Sequence, residues 1–172
     1  MDPSHDTGRT VETMCADMVR YHASLRRSLP RIRESLANLS AGDASPAVDL
    51  MRAAFTSLAD MLESHLNKEE NLLFPAVSVL SEAERTGRGR PALPFATLLY
   101  PIRMMEAEHL RIERALDILR DFAADASATP ASPQWRRCLD ELHHLDEELR
   151  SHDRFENEVL FPAALELERR VV

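Results

Sequence analysis

One sequence pattern occurs twice in this chain and constrains its fold more than any other feature. The pattern H-x-x-x-E-x-x-x-L-F-P covers residues 65–75 and again residues 152–162, so 87 residues separate equivalent positions. The same separation places His22 in register with His109. Three pairs of residues that share one separation indicate that the chain contains two copies of one structural unit.

The repeated residues are of the types that bind metal ions. Histidine and glutamate four positions apart lie on one face of an α-helix, so each copy offers an imidazole and a carboxylate from a single helix. A second imidazole comes from another helix of the same copy. The predicted ligands of a dinuclear site are His22, His65, Glu69, His109, His152 and Glu156.

The composition is that of one globular domain. Of the 172 residues, 44% are apolar, 29% are charged and only four are glycine, which favours helices. The formal net charge of −8 disfavours nucleic acid as a partner, because phosphate binding needs a clustered basic face. Since no segment has the length of a membrane span or the pattern of a signal peptide, we expect a cytoplasmic protein without a membrane partner.

Helical periodicity runs through the chain, and no segment alternates long enough to predict a strand. Helices are expected at about 10–39, 46–80, 94–123 and 133–169, with bends near Pro30, Pro75 and Pro101. We therefore predict an all-α, antiparallel up-down-up-down four-helix bundle built from two duplicated helical hairpins. Residues 1–172 would form this single domain, with hairpins at about 10–81 and 95–170 and a linker at about 82–94.

The ligand types favour a pair of iron ions. Buried carboxylates and imidazoles are costly unless they are paired or bind metal. Imidazole suits iron, zinc, copper and nickel, and a carboxylate can bridge two ions, so a histidine and glutamate set without thiolate favours a redox-capable di-iron centre. Two histidines per metal and two bridging glutamates leave room for an oxo or hydroxo bridge and an open position.

The sequence also suggests roles for five other residues. Glu148 lies one turn before the last ligand histidine and is a possible outer-sphere or channel carboxylate, whereas Glu108 is expected to be an exposed helix residue. Tyr21 is expected to pack at a helix interface. Cys15 and Cys138 are too few and too isolated for a disulfide framework or a thiolate zinc site, so we expect reduced thiols packed in or near the core.

At these residues the chain resembles the hemerythrin-like, cation-binding H-H-E domain superfamily, and within it the di-iron proteins of the Repair of Iron Centres type. The resemblance covers nearly the whole length. It is carried by Tyr21-His22 with Arg26 and Leu29-Pro30, by His65 with Lys68, Glu69, Glu70 and Leu73-Phe74-Pro75, by Pro101-Ile102-Arg103 with Met105 and Glu108-His109, and by His152 with Glu156-Asn157 and Leu160-Phe161-Pro162.

The resemblance implies a non-haem, oxo-bridged di-iron centre in a four-helix bundle. The four histidines would be terminal ligands and the two glutamates would bridge. Oxygen-carrying hemerythrins have a further histidine one turn from the third-helix ligand, where this chain has Met105 and Glu113, so the oxygen-carrier pattern is not met. The chain is also expected to lack the small N-terminal cysteine domain of many repair proteins.

Three functions compete on the sequence. The leading hypothesis is a di-iron protein of the nitrosative or oxidative stress response, acting in iron-sulfur centre repair by iron donation or in nitric oxide chemistry. Its expected partners are a small diatomic ligand or peroxide and damaged iron-sulfur proteins, with the chain a monomer or homodimer. The alternatives are a non-catalytic sensor or store of dioxygen, nitric oxide or iron, and a bundle that holds zinc or another redox-inert metal for structure alone. Whether the chain is an enzyme is left open.

Overall fold

The computed structural model describes residues 9–39, 46–126 and 132–171, and secondary structure in these ranges is helical. Helix α1 spans Val11–Ala37 and α2 spans Pro46–Lys68, and after a π-helical turn α3 spans Phe74–Thr86. Helix α4 spans Leu99–Ala126, α5 spans Pro133–Phe155, and after a second π-helical turn α6 spans Phe161–Arg170. The all-α fold class with four long helices is therefore confirmed for the described part of the chain.

Both copies of the repeat contain a π-helical segment that the sequence did not predict. The segments are Glu69–Leu73 and Glu156–Leu160, and each begins at the glutamate of the repeat. The amide of Phe74 donates to the carbonyl of Glu69, and that of Phe161 to the carbonyl of Glu156, which closes the wide turn. The following proline has no amide to donate, so the wide turn accommodates it without ending the helix.

Two helix boundaries differ from the expected ones. Helix α3 continues to Thr86 and ends at Gly87, whose φ of 64° is the left-handed conformation that glycine adopts without strain. Helix α4 starts at Leu99, later than the expected start near Pro94, and Pro101 lies in its first turn, where a missing amide costs no hydrogen bond. The Glu168 carboxylate accepts a hydrogen bond from the amide of Leu98 at 3.1 Å and so caps this helix start.

The chain divides into two compact units, each of which draws on both copies of the repeat. The first unit comprises Met1–His22, His65–His109 and Ser151–Val172. Its apolar core is formed by side chains of α1, the π-helical segments, α3, α4 and α6; those with the largest volumes are Met14, Met18, Leu73, Phe74, Leu80, Leu98, Ile102, Met105, Leu160, Phe161 and Leu167. The division into two helical hairpins remains a prediction.

The second unit comprises Ala23–Ser64 and Leu110–Arg150. Its buried side chains recur at helical spacing along α1, α2, α4 and α5 and include Phe55, Trp135 and Cys138. Polar contacts on its surface include the Arg26 guanidinium with the Glu63 carboxylate at 3.0 Å.

Among the described residues, none of the helices is both long and apolar enough to cross a membrane.

Candidate metal centre

All six predicted ligands lie in the first unit and are buried there. The exposed fraction of each residue is 3% or less, and it is 0% for His22, Glu69 and Glu156. Helix α1 supplies His22, the end of α2 and its π-helical segment supply His65 and Glu69, and α4 supplies His109. The remaining two ligands, His152 and Glu156, come from the end of α5 and the second π-helical segment.

The four imidazoles form two pairs, and each pair takes one histidine from each copy of the repeat. The Nε2 atoms of His22 and His152 are 2.9 Å apart. The Nε2 atoms of His65 and His109 are 3.1 Å apart. The sequence left the pairing open, and the pairing follows from the helices that meet in the fold rather than from the repeat itself.

Each glutamate contacts one histidine of each pair. Glu69 Oε2 lies 3.5 Å from Nε2 of both His22 and His65. Glu156 places Oε2 at 3.2 Å from Nε2 of His109 and Oε1 at 3.6 Å from Nε2 of His152. Both carboxylates therefore lie between the two imidazole pairs, within reach of both.

The outer ring nitrogen, Nδ1, of each of the four predicted ligand histidines lies within hydrogen-bond distance of an oxygen atom. Nδ1 of His22 lies 2.9 Å from Glu70 Oε1, and Nδ1 of His65 lies 3.2 Å from Glu108 Oε2. Nδ1 of His109 lies 3.2 Å from Asn157 Oδ1, and Nδ1 of His152 lies 3.1 Å from Asp153 Oδ1. Carboxylate oxygens and the side-chain oxygen of Asn157 only accept hydrogen bonds, so Nδ1 carries a proton and donates it. Nε2 is then the nitrogen that faces the interior, where a metal ion would bind it.

The structure corrects the expectation for Glu108 and agrees with the expectation for Tyr21. Glu108 is not an exposed helix residue, because its side chain is only 15% exposed and its carboxylate contacts both His65 and the ammonium group of Lys68. The sequence signal for this role was its position directly before a predicted ligand histidine.

Tyr21 packs as expected, with its ring stacked on His152 at 5.9 Å between centroids. Glu148 belongs to the second unit and lies 3.8 Å from the exposed His144.

Aromatic rings cover two of the ligand imidazoles in a repeat-related manner. Phe74 stacks on His22 with 5.8 Å between ring centroids, and Phe161 stacks on His109 at 5.9 Å. Both phenylalanines come from the L-F-P part of the repeat and are 5% exposed or less. They shield the imidazoles from water and restrict ring rotation, which keeps the Nε2 atoms directed inward.

The electrostatics of the interior favour a bound cation. Burial raises the pKa of Glu69 well above its ordinary value, and the nearby Glu156 carboxylate adds to the rise. Burial also raises the pKa of Glu156, although His109 opposes this effect. Burial lowers the pKa of His65 to about 2. Burial acts to lower the pKa of His109 too, but contacts with Glu156 and Asp153 outweigh it and raise that pKa to about 9.

A pair of metal ions fits this donor set. All four carboxylate oxygens of Glu69 and Glu156 are buried and accept no hydrogen bond from the described residues. Burying a carboxylate without a partner is costly, and a coordinated cation removes that cost. Two overlapping groups of side chains have ligand atoms close enough to share an ion: His65, His109, His152 and Glu156, and His22, Glu69, His152 and Glu156.

The cysteines lie outside this donor set, and both are buried free thiols. Burial raises the pKa of the Cys15 thiol to about 12 and that of the Cys138 thiol to about 12. A thiol with such a pKa is almost entirely protonated at neutral pH. The expectation of packed, reduced thiols therefore agrees with the structure.

Comparison with known proteins identifies one family. The family model of the hemerythrin HHE cation binding domain matches residues 13–91 and 100–171. Curated relatives from Escherichia coli O157:H7, Salmonella paratyphi B and Salmonella newport, each named iron-sulfur cluster repair protein YtfE, are 30% identical over 151 residues. The matched region is 86% of this chain and 63% of each relative, so the chain spans less than two thirds of their length. No solved structure gives a significant match.

Proposed function

We propose that this chain, which belongs to the hemerythrin HHE cation-binding domain family, holds a non-haem di-iron centre that serves iron-sulfur centre repair under nitrosative or oxidative stress. The single observation that carries the proposal is a buried set of four inward Nε2 atoms and four carboxylate oxygens that accept no hydrogen bond from the described residues. The names of the curated relatives support the assignment to repair.

The proposed ligands are the six residues of the repeat. His22 and His152 would hold one iron through Nε2, and His65 and His109 would hold the other. Glu69 and Glu156 would bridge, because each contacts one histidine of each pair. Two irons supply one-electron redox chemistry and a position for nitric oxide or peroxide, and iron is also the cargo of a donation reaction.

The protein residues around the site perform separate tasks. The oxygen atoms at the outer nitrogens hold each imidazole with Nε2 directed inward. His109, whose pKa is raised to about 9, would release a proton when iron binds. Phe74 and Phe161 exclude water from two of the rings. Lys68 balances the charge of Glu108 at the edge of the site. We expect the chain to act in the cytoplasm, as a monomer or homodimer.

The test combines metal analysis with an iron-transfer assay. Iron-loaded protein is expected to restore activity to an iron-sulfur protein damaged by nitric oxide, in proportion to the iron that it loses. His65→Ala should abolish this transfer, whereas His143→Ala, at a histidine whose side chain is 72% exposed, should leave it unchanged. A loaded protein that binds nitric oxide reversibly but restores no activity would instead favour the non-catalytic sensor.

A further inference from the structure

Asp153 carries a carboxylate that reaches the metal centre, although it is not one of the six repeated residues. Its Oδ1 atom lies 3.7 Å from Nε2 of His109, the ring nitrogen that is directed inward. The corresponding distance between Oε1 of the predicted ligand Glu156 and Nε2 of His152 is 3.6 Å. Asp153 therefore lies about as close to an inward nitrogen as a predicted bridging carboxylate does.

The two copies of the repeat differ at the position of Asp153. The equivalent residue of the first copy is Leu66, which is fully buried. The side chain of Asp153 is 19% exposed, so most of this carboxylate is also removed from water. Burying a carboxylate where the other copy has an apolar side chain is costly unless the charge is bound. A cation would offset that cost.

The hydrogen bond to His152 leaves Asp153 able to bind a cation as well. Its Oδ1 lies 3.1 Å from Nδ1 of His152 and accepts the proton of that nitrogen. An ionised carboxylate has two oxygens with about four lone-pair sites, so one hydrogen bond uses only part of its capacity. The same side chain can orient one imidazole and coordinate an ion that another imidazole holds.

The distances around Nε2 of His109 are those of ligand atoms on one ion. Bonds from such metals to nitrogen and oxygen are about 2.0–2.2 Å long, so two ligand atoms of one ion are about 3–4 Å apart, depending on the angle between them. The atoms closest to Nε2 of His109 include His65 Nε2 at 3.1 Å, Glu156 Oε2 at 3.2 Å and Asp153 Oδ1 at 3.7 Å. All three distances fall in that range.

The contacts of Asp153 also indicate which of the two ions it would bind. It meets His152 at Nδ1, on the side of the ring away from the Nε2 atom that would hold an ion. It meets His109 at Nε2 itself. The carboxylate is therefore placed at the ion of the His65 and His109 pair.

We propose that Asp153 is a seventh protein ligand, which coordinates the metal ion held by His65 and His109. The inference rests on the proposed dinuclear site and deepens it. At that ion, Asp153 occupies a coordination position that would otherwise hold water or a small ligand, so the two copies of the repeat supply unequal numbers of ligands.

The direct test is a crystal structure of the full chain loaded anaerobically with Fe²⁺. An oxygen of Asp153 is expected about 2.0–2.2 Å from the ion held by His65 and His109. Two bound ions with both Asp153 oxygens more than about 3 Å from each of them would overturn the inference and leave the dinuclear site intact. Fewer than two ions per chain would overturn both.

A solution titration tests the same assignment with variants. Metal-free chain is titrated anaerobically with Co²⁺ against a competing chelator, and the visible absorption of bound Co²⁺ reports each step and the coordination of each ion. Asp153→Asn keeps an oxygen that can accept from His152, and Asp153→Leu restores the residue type of the first copy. Both variants should weaken one binding step by at least about 10-fold and change the absorption that belongs to that step.

The asparagine variant separates coordination from an orienting role. If Asp153 only orients His152, Asp153→Asn should keep both affinities and the wild-type absorption, and that result would overturn the inference. Glu158→Gln, which removes one charge from an exposed residue of the same π-helical segment, is the control and should change neither step.

Discussion

The replacement Glu69→Leu should stabilise the metal-free protein. Glu69 is fully buried, and neither of its carboxylate oxygens accepts a hydrogen bond from the described residues. Leucine fills a similar volume without polar atoms. The stability of the metal-free protein and the affinity for metal are therefore expected to change in opposite directions when this side chain is replaced.

The magnitude follows from the cost of burying a polar group without a partner. That cost is about 1–3 kcal/mol, and exchange of a buried ionisable group for an apolar one is often stabilising by a similar amount. For a chain of this size, 1 kcal/mol corresponds to about 2–4 °C in Tm, so Glu69→Leu should raise the Tm of the metal-free protein by about 2–12 °C.

The increase in stability that Glu69→Leu gives the metal-free protein should also depend on pH. Because the folded-state pKa of Glu69 is raised above its ordinary value of 4.5, the metal-free wild type binds a proton more tightly when folded than when unfolded. The stability that protonation of Glu69 contributes to the wild type is present below pH 4.5 and is lost as the pH rises through the raised pKa. The stability advantage of the leucine variant should therefore increase as the pH rises above 4.5.

The assay is thermal unfolding of chelator-treated protein, followed by circular dichroism, with and without added Fe²⁺. Glu168→Leu is the matched control, because Glu168 is also buried but accepts from Arg90 at 2.5 Å, from Thr97 at 2.7 Å and from the Leu98 amide. That variant should lose about 2–4 kcal/mol. Added iron should raise the Tm of the wild type by more than that of Glu69→Leu. A metal-free Glu69→Leu protein that is less stable than the wild type by more than about 1 kcal/mol would refute the reasoning.

Three further predictions concern separate parts of the chain. Glu69→Ala and Glu156→Ala should each reduce bound iron from two ions to one or none, and retention of two irons by both variants would refute the bridging assignment. Cys15 and Cys138, with pKa values of about 12, should react with a thiol reagent at pH 8 on the order of 10³-fold more slowly than a free cysteine until the protein unfolds. Rapid labelling of native protein would show that the thiols are accessible. Arg150→Met, which removes a guanidinium held by three carboxylates, should cost about 1 kcal/mol or less in low salt and nothing in 1 M salt, as measured by urea unfolding.

Much of the fold could be predicted because the information is local. The apolar spacing along the helices and the helix-start signal at Pro133 depend on nearby residues in the chain, so periodicity located the long helices. The start of α4 was placed too early because Glu168, which is distant in sequence, binds the amide of Leu98. Contacts over that separation leave no local signal.

The π-helical segments show a different limit. The sequence predicted a bend near Pro75, because proline disrupts the α-helical hydrogen-bond pattern. The structure instead widens the turn before the proline, at Glu69–Leu73, and the repeat does the same at Glu156–Leu160. Propensity does not separate a bend from a wide turn, because both remove the same hydrogen bond.

The buried cluster of four histidines and two glutamates was predictable from the repeat, but its surroundings were not. A shared separation of 87 residues identifies the six inner residues without any structure. Glu108, Asp153 and Asn157 depart from the repeat, so the same reasoning gave them no role, and only the packing of the helices brings them to the outer nitrogens. The pairing of His22 with His152 likewise depends on which helices meet in the fold.

The central claim is that four histidines and two glutamates bind two irons, and the most direct measurement is the metal content of protein produced with iron supplied, recorded together with its ultraviolet and visible spectrum. The account predicts two irons per chain and the absorption bands of an oxo-bridged ferric pair, both lost in His22→Ala and His109→Ala. Zinc in place of iron, or no metal after anaerobic reconstitution with Fe²⁺, would contradict it.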